Sequence, residues 1–167
     1  MIRFRFVLFV LCACAIAFMS CEQENDPCLQ PTVFETRAGV YKAVETDTGV
    51  AVSDSLLPNV LLGSLDSPNY FMYAHKDVKE LRFLLSPHKD SISLTIVPDS
   101  AKQGRFDIDT VVFYYDRRLQ FVSTSCGYTY YYSINNLRYT TYNIDSVTIA
   151  NGNVTNDAKI QHVKVYY

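Results

Sequence analysis

The chain has 167 residues, 49% hydrophobic, 14% aromatic and 19% charged, with a formal net charge of -2, no Trp, 13 Tyr, 10 Phe and 5 Cys. So few charges among so many apolar side chains exclude a disordered chain, and the length suits one domain. The near-neutral balance supplies no basic surface for a phosphate backbone, so nucleic acid is not an expected partner.

Both charges in residues 1–20 are positive, Arg3 and Arg5, and Phe6 to Phe18 is an unbroken apolar run of 13 residues. A basic start followed by such a run is the pattern of a secretory signal. As a helix the run would reach about 20 Å at 1.5 Å per residue, short of the roughly 30 Å hydrocarbon core, which disfavours a permanent span. Phe18-Met19-Ser20-Cys21 then resembles a bacterial lipobox, with Phe18 in place of the usual Leu and a bulky Met19. In lipoproteins this cysteine is the lipidated residue and the signal is cut before it. Leu11-Cys12-Ala13-Cys14 fits the lipobox letters better but would leave a very short apolar run and put Ile16, Ala17 and Phe18 in the mature tail. An uncleaved anchor or simple secretion would also fit the segment. Glu22-Gln23-Glu24-Asn25-Asp26 is either a solvated tether or resembles the acidic export signal of surface-exposed lipoproteins in Bacteroidetes. The expected organisation is residues 1–20 as signal peptide, 21–31 as lipidated N-terminus and tether, and 32–167 as one β domain. Without the signal the balance is 13 basic against 17 acidic residues.

With Cys12 and Cys14 in the signal and Cys21 lipidated, Cys28 and Cys126 are the remaining thiols. In an oxidising envelope two cysteines most simply form a disulfide. Two free thiols would also fit, as would Cys126 as a nucleophile beside Ser125 and Gly127, for which no neighbouring His offers a base.

From Thr32 onward the hydrophobic period is two, not 3.6. Strands are expected over Val33–Val44, Val50–Val52, Val60–Leu65 and Tyr70–Ala74. Leu81–Leu85 and Ser91–Val97 follow, joined as a hairpin through Ser86-Pro87-His88-Lys89-Asp90, with Ile92, Leu94 and Ile96 on one face. Residues 99–106 read as an exposed loop. Thr110–Tyr115 and Leu119–Ser123 read as a second hairpin about Asp116-Arg117-Arg118. Ser146–Ala150 ends at Asn151-Gly152-Asn153, a tight-turn signal, and Ile160–Tyr166 is the last strand. Eight to ten short strands without an amphipathic helix predict an antiparallel β-sandwich of immunoglobulin-like or transthyretin-like type rather than a closed barrel.

The lipid cysteine, Asp26-Pro27-Cys28, Phe121-Val122-Ser123 leading to Cys126-Gly127, and a closing segment with Thr140 or Thr141, Ile144-Asp145-Ser146-Val147 and His162 together resemble an uncharacterised lipoprotein family of Bacteroidetes known only as a domain of unknown function. The resemblance implies an envelope lipoprotein with an all-β domain and carries no activity.

Enzyme signatures such as G-x-S-x-G, H-E-x-x-H, a P-loop or G-x-G-x-x-G are absent from the sequence. No catalytic residue, cofactor or metal site is expected. His75, His88 and His162 lack ligand partners at recognisable spacing, and Asp99, Asp107 and Asp109 lack the spacing of a calcium loop. Tyr128, Tyr130 and Tyr132 alternate onto one strand face, either as ordinary strand residues or as an aromatic row for a glycan or protein partner. Ser55, Ser91, Thr110 and Ser146 each follow an Asp and precede an apolar residue, which resembles the O-glycosylation sequon of Bacteroidetes envelope proteins; turn-to-strand junctions produce the same letters. Asn153-Val154-Thr155 fits the eukaryotic N-glycan pattern, which the lipobox makes irrelevant. The expectation is a non-enzymatic binding or assembly module on the outer membrane, periplasmic or surface-exposed. It would be held by its N-terminal lipid, with an envelope protein or a glycan as partner. A glycan-binding accessory protein is the alternative, and a hydrolase or redox enzyme, needing Cys126 and His162 to converge, a third.

Overall fold

A computed structural model describes residues 27–47, 49–66, 71–101 and 108–167, apart from the side chains of 71–73. The predicted signal, Cys21, the acidic tether and Asp107 lie outside the described residues. Eleven strands are present among them, one more than the upper expectation: β1 Glu35–Thr46, β2 Gly49–Asp54, β3 Leu57–Ser64, β4 Phe71–Val78, β5 Glu80–Leu84, β6 Ser91–Val97, β7 Asp109–Ser123, β8 Gly127–Tyr139, β9 Ser146–Ile149, β10 Asn153–Val154 and β11 Val163–Tyr166. They form two open sheets packed as a sandwich. One runs β2-β1-β11-β9 with β5 also on β1, the other β10-β8-β7-β6-β3-β4.

Alternation builds the core. Ala38 and Val40 of β1, Leu81 and Phe83 of β5, and Val163 and Val165 of β11 are buried in the first sheet. Leu57, Val60 and Leu62 of β3, Ile92, Leu94 and Ile96 of β6, and Val111, Phe113 and Tyr115 of β7 are buried in the second. Phe83 meets Phe113 at 4.8 Å between ring centres. Burial of a side chain of this size contributes roughly 1.5–3 kcal/mol, so these facing rows hold the sheets together.

The predicted face of Ile92, Leu94 and Ile96 is present, but two connections differ from expectation and a third turns without the expected backbone conformation. Leu81–Leu85 and Ser91–Val97 do not pair: β5 joins β1 in the first sheet, whereas β6 lies between β3 and β7 in the second. The 86–90 loop therefore crosses the sandwich, held by Tyr115, whose hydroxyl accepts from the Ser86 amide at 2.9 Å and donates to the Ser86 carbonyl at 3.1 Å. Asp116-Arg117-Arg118 is no turn, because β7 runs straight through it; turn-forming letters are overridden by pairing with β8, Arg117 opposite Tyr132 and Arg118 opposite Tyr131. Arg117 bonds the Pro87 carbonyl and pairs with Asp90 at 2.8 Å, which ties the crossing loop to the strand. Asn151-Gly152-Asn153 does turn the chain but joins strands of different sheets. Gly152 is not in the left-handed region that its letters suggest. A Cβ there would instead meet the Ile134 carbonyl oxygen at 2.5 Å.

Among the described strands one pairing is parallel, β1 against β11 from Ala38–Val163 to Tyr41–Tyr166, and the isolated Asn59–Asp99 bridge is parallel as well, so the sandwich is mainly antiparallel. The other edge of β1 is divided: β5 pairs with Glu35 to Gly39 and β2 with Tyr41 to Thr46. Val40 stands at the handover, its amide donating to Lys79 and its carbonyl accepting from Ser55.

Candidate functional site

The β7–β8 hairpin is the longest element pair, and its far half extends past the packed body. Along β7 the inward row continues Tyr115, Arg117, Leu119, Phe121, and the register places Tyr132, Tyr130 and Tyr128 of β8 opposite the last three. Near the body this face is covered: Tyr132 stacks edge-on against Tyr115 at 5.5 Å, and burial, the larger cause for each, raises both phenol pKa values. Beyond Arg117 the face opens. Leu119 and Tyr130 are exposed, and Phe121 (50% exposed) meets Tyr128 (64%) edge-on at 5.3 Å.

Residues 28–34 run beside β8 in step with it. Cys28 is disulfide-bonded to Cys126 in the hairpin turn, with Cα atoms 4.8 Å apart. The Thr32 carbonyl accepts from the Thr129 hydroxyl, and Phe34 packs edge-on to Tyr131 at 5.4 Å. Gly127 closes the turn at φ 69°, a conformation that costs a side-chain-bearing residue about 1–2 kcal/mol. Exposed Leu29 and Val33 bring two more apolar side chains to this end of the molecule. A groove of about 300 Å³ lies between this segment and the hairpin, lined by Thr32, Phe34, Leu85, Tyr128, Tyr130 and Tyr132.

Among the described residues, the two stretches that form this end carry no formal charge. No Asp, Glu, Lys, Arg or His lies between Arg118 and Arg138, nor between Asp26 and Glu35. Among the singled-out tyrosines, Tyr128 and Tyr130 are open while Tyr132 is half-buried, and the Tyr130 and Tyr132 rings are tilted 34° to each other. The row is therefore not a flat platform. Sequence reasoning misses Leu119, Phe121, Leu29 and Val33, because the false turn at 116–118 separates 119–123 from the inward row of β7. The long uncharged stretch is the signal that could find them.

The remaining candidates sit elsewhere. Cys126 and His162 do not meet. The sulfur of Cys126 is bonded to Cys28, and buried His162 accepts the Arg37 amide proton at Nδ1, 3.0 Å away, while its own amide donates to the Arg37 carbonyl. Burial, reinforced by the Arg37 charge, lowers the His162 pKa; the Asn153 carbonyl and Glu80 oppose this more weakly. Its Nε2 makes no regular hydrogen bond. His88 is exposed in the crossing loop and His75 lies on β4.

Asp109 is fully buried, and its carboxylate is filled by the chain itself. Oδ1 accepts from Thr140 Oγ1 (2.9 Å) and the Tyr142 amide (2.8 Å), and Oδ2 from the Asn143 (2.7 Å) and Ile144 (3.1 Å) amides and Asn143 Nδ2 (3.3 Å). Asp99 accepts from Asn59 Nδ2 and the Ala101 amide. Among the described residues no group of three or more His, Cys, Asp or Glu is placed to hold a metal ion. Ser91, Thr110 and Ser146 lie at the starts of β6, β7 and β9 and Ser55 in the link from β2 to β3; all four are half-buried.

Fold and site together define a disulfide-linked β-sandwich whose longest hairpin ends in an uncharged, aromatic tip. The chain belongs to a family of unknown function, DUF6452, whose model matches residues 60–167, from within β3 through Cys126 to β11. No curated protein and no solved structure matches it.

Proposed function

We propose that the chain is a lipoprotein of the bacterial envelope, anchored to the outer membrane through Cys21, whose β-sandwich serves as a non-enzymatic binding or assembly module. The observation that carries this reading is the Cys28–Cys126 disulfide. Such a bond belongs to an oxidising compartment, and it fastens the domain seven residues beyond the lipobox cysteine. It also occupies the one thiol with a nucleophile-like setting. His162, the other residue a hydrolase would call on, is committed to the backbone of β1. The lipobox, the acidic tether and the resemblance to Bacteroidetes lipoproteins support the address. The four Asp-Ser/Thr-apolar sites stay candidates for O-glycosylation, with Ser55 the one outside a strand.

Intact mass of the membrane-extracted protein tests the address. The expected species starts at Cys21 and carries acyl chains, whereas an unlipidated chain still bearing Met1 refutes it. A second reading, glycan capture, draws on the groove beside Tyr128, Tyr130 and Tyr132. It predicts saturable binding of envelope polysaccharide fragments that Tyr130→Ala weakens at least about tenfold, the scale of a lost aromatic contact.

A further inference from the structure

We infer that the tip of the β7–β8 hairpin seats on the lipid bilayer itself. The partner of this site would then be the interfacial layer of the same membrane leaflet that holds the anchor. The inference rests on lipidation at Cys21 and deepens that reading.

Three independent observations converge. The first is reach. Cys28 is seven residues from Cys21 and is bonded to Cys126 in the hairpin turn. Even fully extended, seven residues span at most about 25 Å, so the bridge keeps the tip, not the opposite end of the sandwich, next to the acyl chains. Along the chain itself, Cys126 lies 105 positions after Cys21.

Chemistry is the second. The large apolar residues exposed at this end are Leu29, Val33, Leu119, Phe121, Tyr128 and Tyr130, two of them with phenol tips, and the exposed polar residues among them, Gln30, Thr32, Thr124 and Ser125, are uncharged. Aromatic rings with one polar end partition to the boundary between headgroups and acyl chains. The acyl chains of a lipidated Cys21 already hold the protein, so an interfacial contact at the tip orients the domain rather than attaches it.

The third observation is charge. The two stretches that build the tip, 119–131 and 27–34, contain no Asp, Glu, Lys, Arg or His. Entering an interface costs a charged group its hydration, and protein partners usually recruit a charged rim for steering and specificity. A domain end without charge fits the bilayer better than it fits a protein surface, and the nearest preceding acids, Glu22, Glu24 and Asp26, belong to the tether and not to the tip.

The chain has no Trp, so one introduced indole reports alone. Tyr128→Trp marks the tip. Tyr142→Trp (69% exposed in the wild type) marks the far end, beyond the distal end of β8, which is about 35 Å from Tyr128 at 3.3 Å per strand residue. Each full chain is produced in a lipoprotein-processing bacterium, weighed intact, and reconstituted into phosphatidylethanolamine–phosphatidylglycerol vesicles with or without lipids brominated on the upper acyl chain. Phe121→Trp, opposite Tyr128, is a second tip reporter should Tyr128→Trp fold poorly. The expected result is a blue-shifted tip emission that brominated lipid quenches about twofold or more, with the Tyr142→Trp signal nearly unchanged. A lipidated mass with neither reporter quenched, or with both quenched alike, overturns the tip contact and leaves the anchor standing. A tip shift that depends on protein concentration and ignores bromine assigns the patch to a second copy and also overturns it. An unlipidated mass overturns anchor and tip contact together.

Discussion

Asp109→Asn replaces one carboxylate oxygen with an NH₂ group in a site where every partner donates to the carboxylate, and only the Thr140 and Asn143 side chains can turn to accept instead. If the NH₂ stands in the Oδ2 position it faces two backbone amides and the Asn143 side chain; in the Oδ1 position it faces the Tyr142 amide and the Thr140 hydroxyl. The Oδ1 placement leaves at least the Tyr142 amide without its acceptor and the Oδ2 placement at least two backbone amides, and every bond that survives goes to a neutral instead of a charged acceptor; a hydrogen bond to a charged group is worth about 1.5–3 kcal/mol. Tyr142 and Thr140 can recover water, whereas the Ile144 amide is buried and cannot. The expected loss is therefore about 3–5 kcal/mol, or on the order of 10–15 °C in Tm for a body of this size. Urea unfolding of the oxidised protein, followed by far-UV circular dichroism, measures it. Asp99→Asn is the control, since that side chain serves one amide and one Asn at a half-exposed bridge, and it should cost under about 1 kcal/mol. An Asp109→Asn protein within about 1 kcal/mol of wild type would refute the reasoning. Calcium or a chelator should leave the wild-type midpoint unmoved, because every acceptor position of Asp109 is used by the chain.

Replacing both cysteines, Cys28→Ser with Cys126→Ser, should cost about 2–4 kcal/mol, below the loop-entropy limit of about 4–5 kcal/mol; hydrogen exchange should quicken first in residues 119–131, and unchanged exchange there would contradict the clamp. Gly152→Ala pushes a Cβ against a backbone carbonyl and should cost about 1–3 kcal/mol by overpacking, with the β10–β8 amides losing protection; a neutral substitution would refute the contact. His162 predicts a pH slope. Its folded pKa lies below 6.5, so as pH falls from about 6.5 toward that value the unfolded chain binds a proton the folded one does not, and stability declines. His162→Asn keeps an acceptor for the Arg37 amide without a titrating ring, so its stability between pH 5 and 7 should be flatter than wild type; equal slopes would exclude His162 as the source.

The sequence is most legible where burial is one-sided. Ser91–Val97 announces its face because Ser and Thr alternate with Ile and Leu, and its core face is the expected one. The cysteine pairing follows from counting thiols, not from geometry. Connections are less legible, since Ser86 to Asp90 has hairpin letters whether the next strand joins the same sheet or the opposite one. What decides is the long-range preference of β5 for β1 and the tether from Tyr115 to Ser86, separated by 29 residues. Asp116-Arg117-Arg118 misleads for a related reason: charged residues lie within a strand when a crossing loop supplies their partners. Asp109 is visible only as one more acid, because nothing local says that residues 140–144 will fold their amides onto it.

The parallel pairing of β1 with β11 carries a consequence for how the molecule comes into being. During vectorial synthesis Glu35–Thr46 is made early, while its neighbour Val163–Tyr166 emerges more than a hundred residues later. Until then the first sheet lacks its middle: β9 has no strand to join, and the inner edge of β1 stays unpaired. The second sheet can assemble earlier from neighbours in sequence, β3 with β4, β6 with β7 and β7 with β8. Contacts so distant in sequence form slowly. Completion of the fold thus waits on a four-residue strand, and deleting Val163–Tyr166 removes the seam that joins first strand to last.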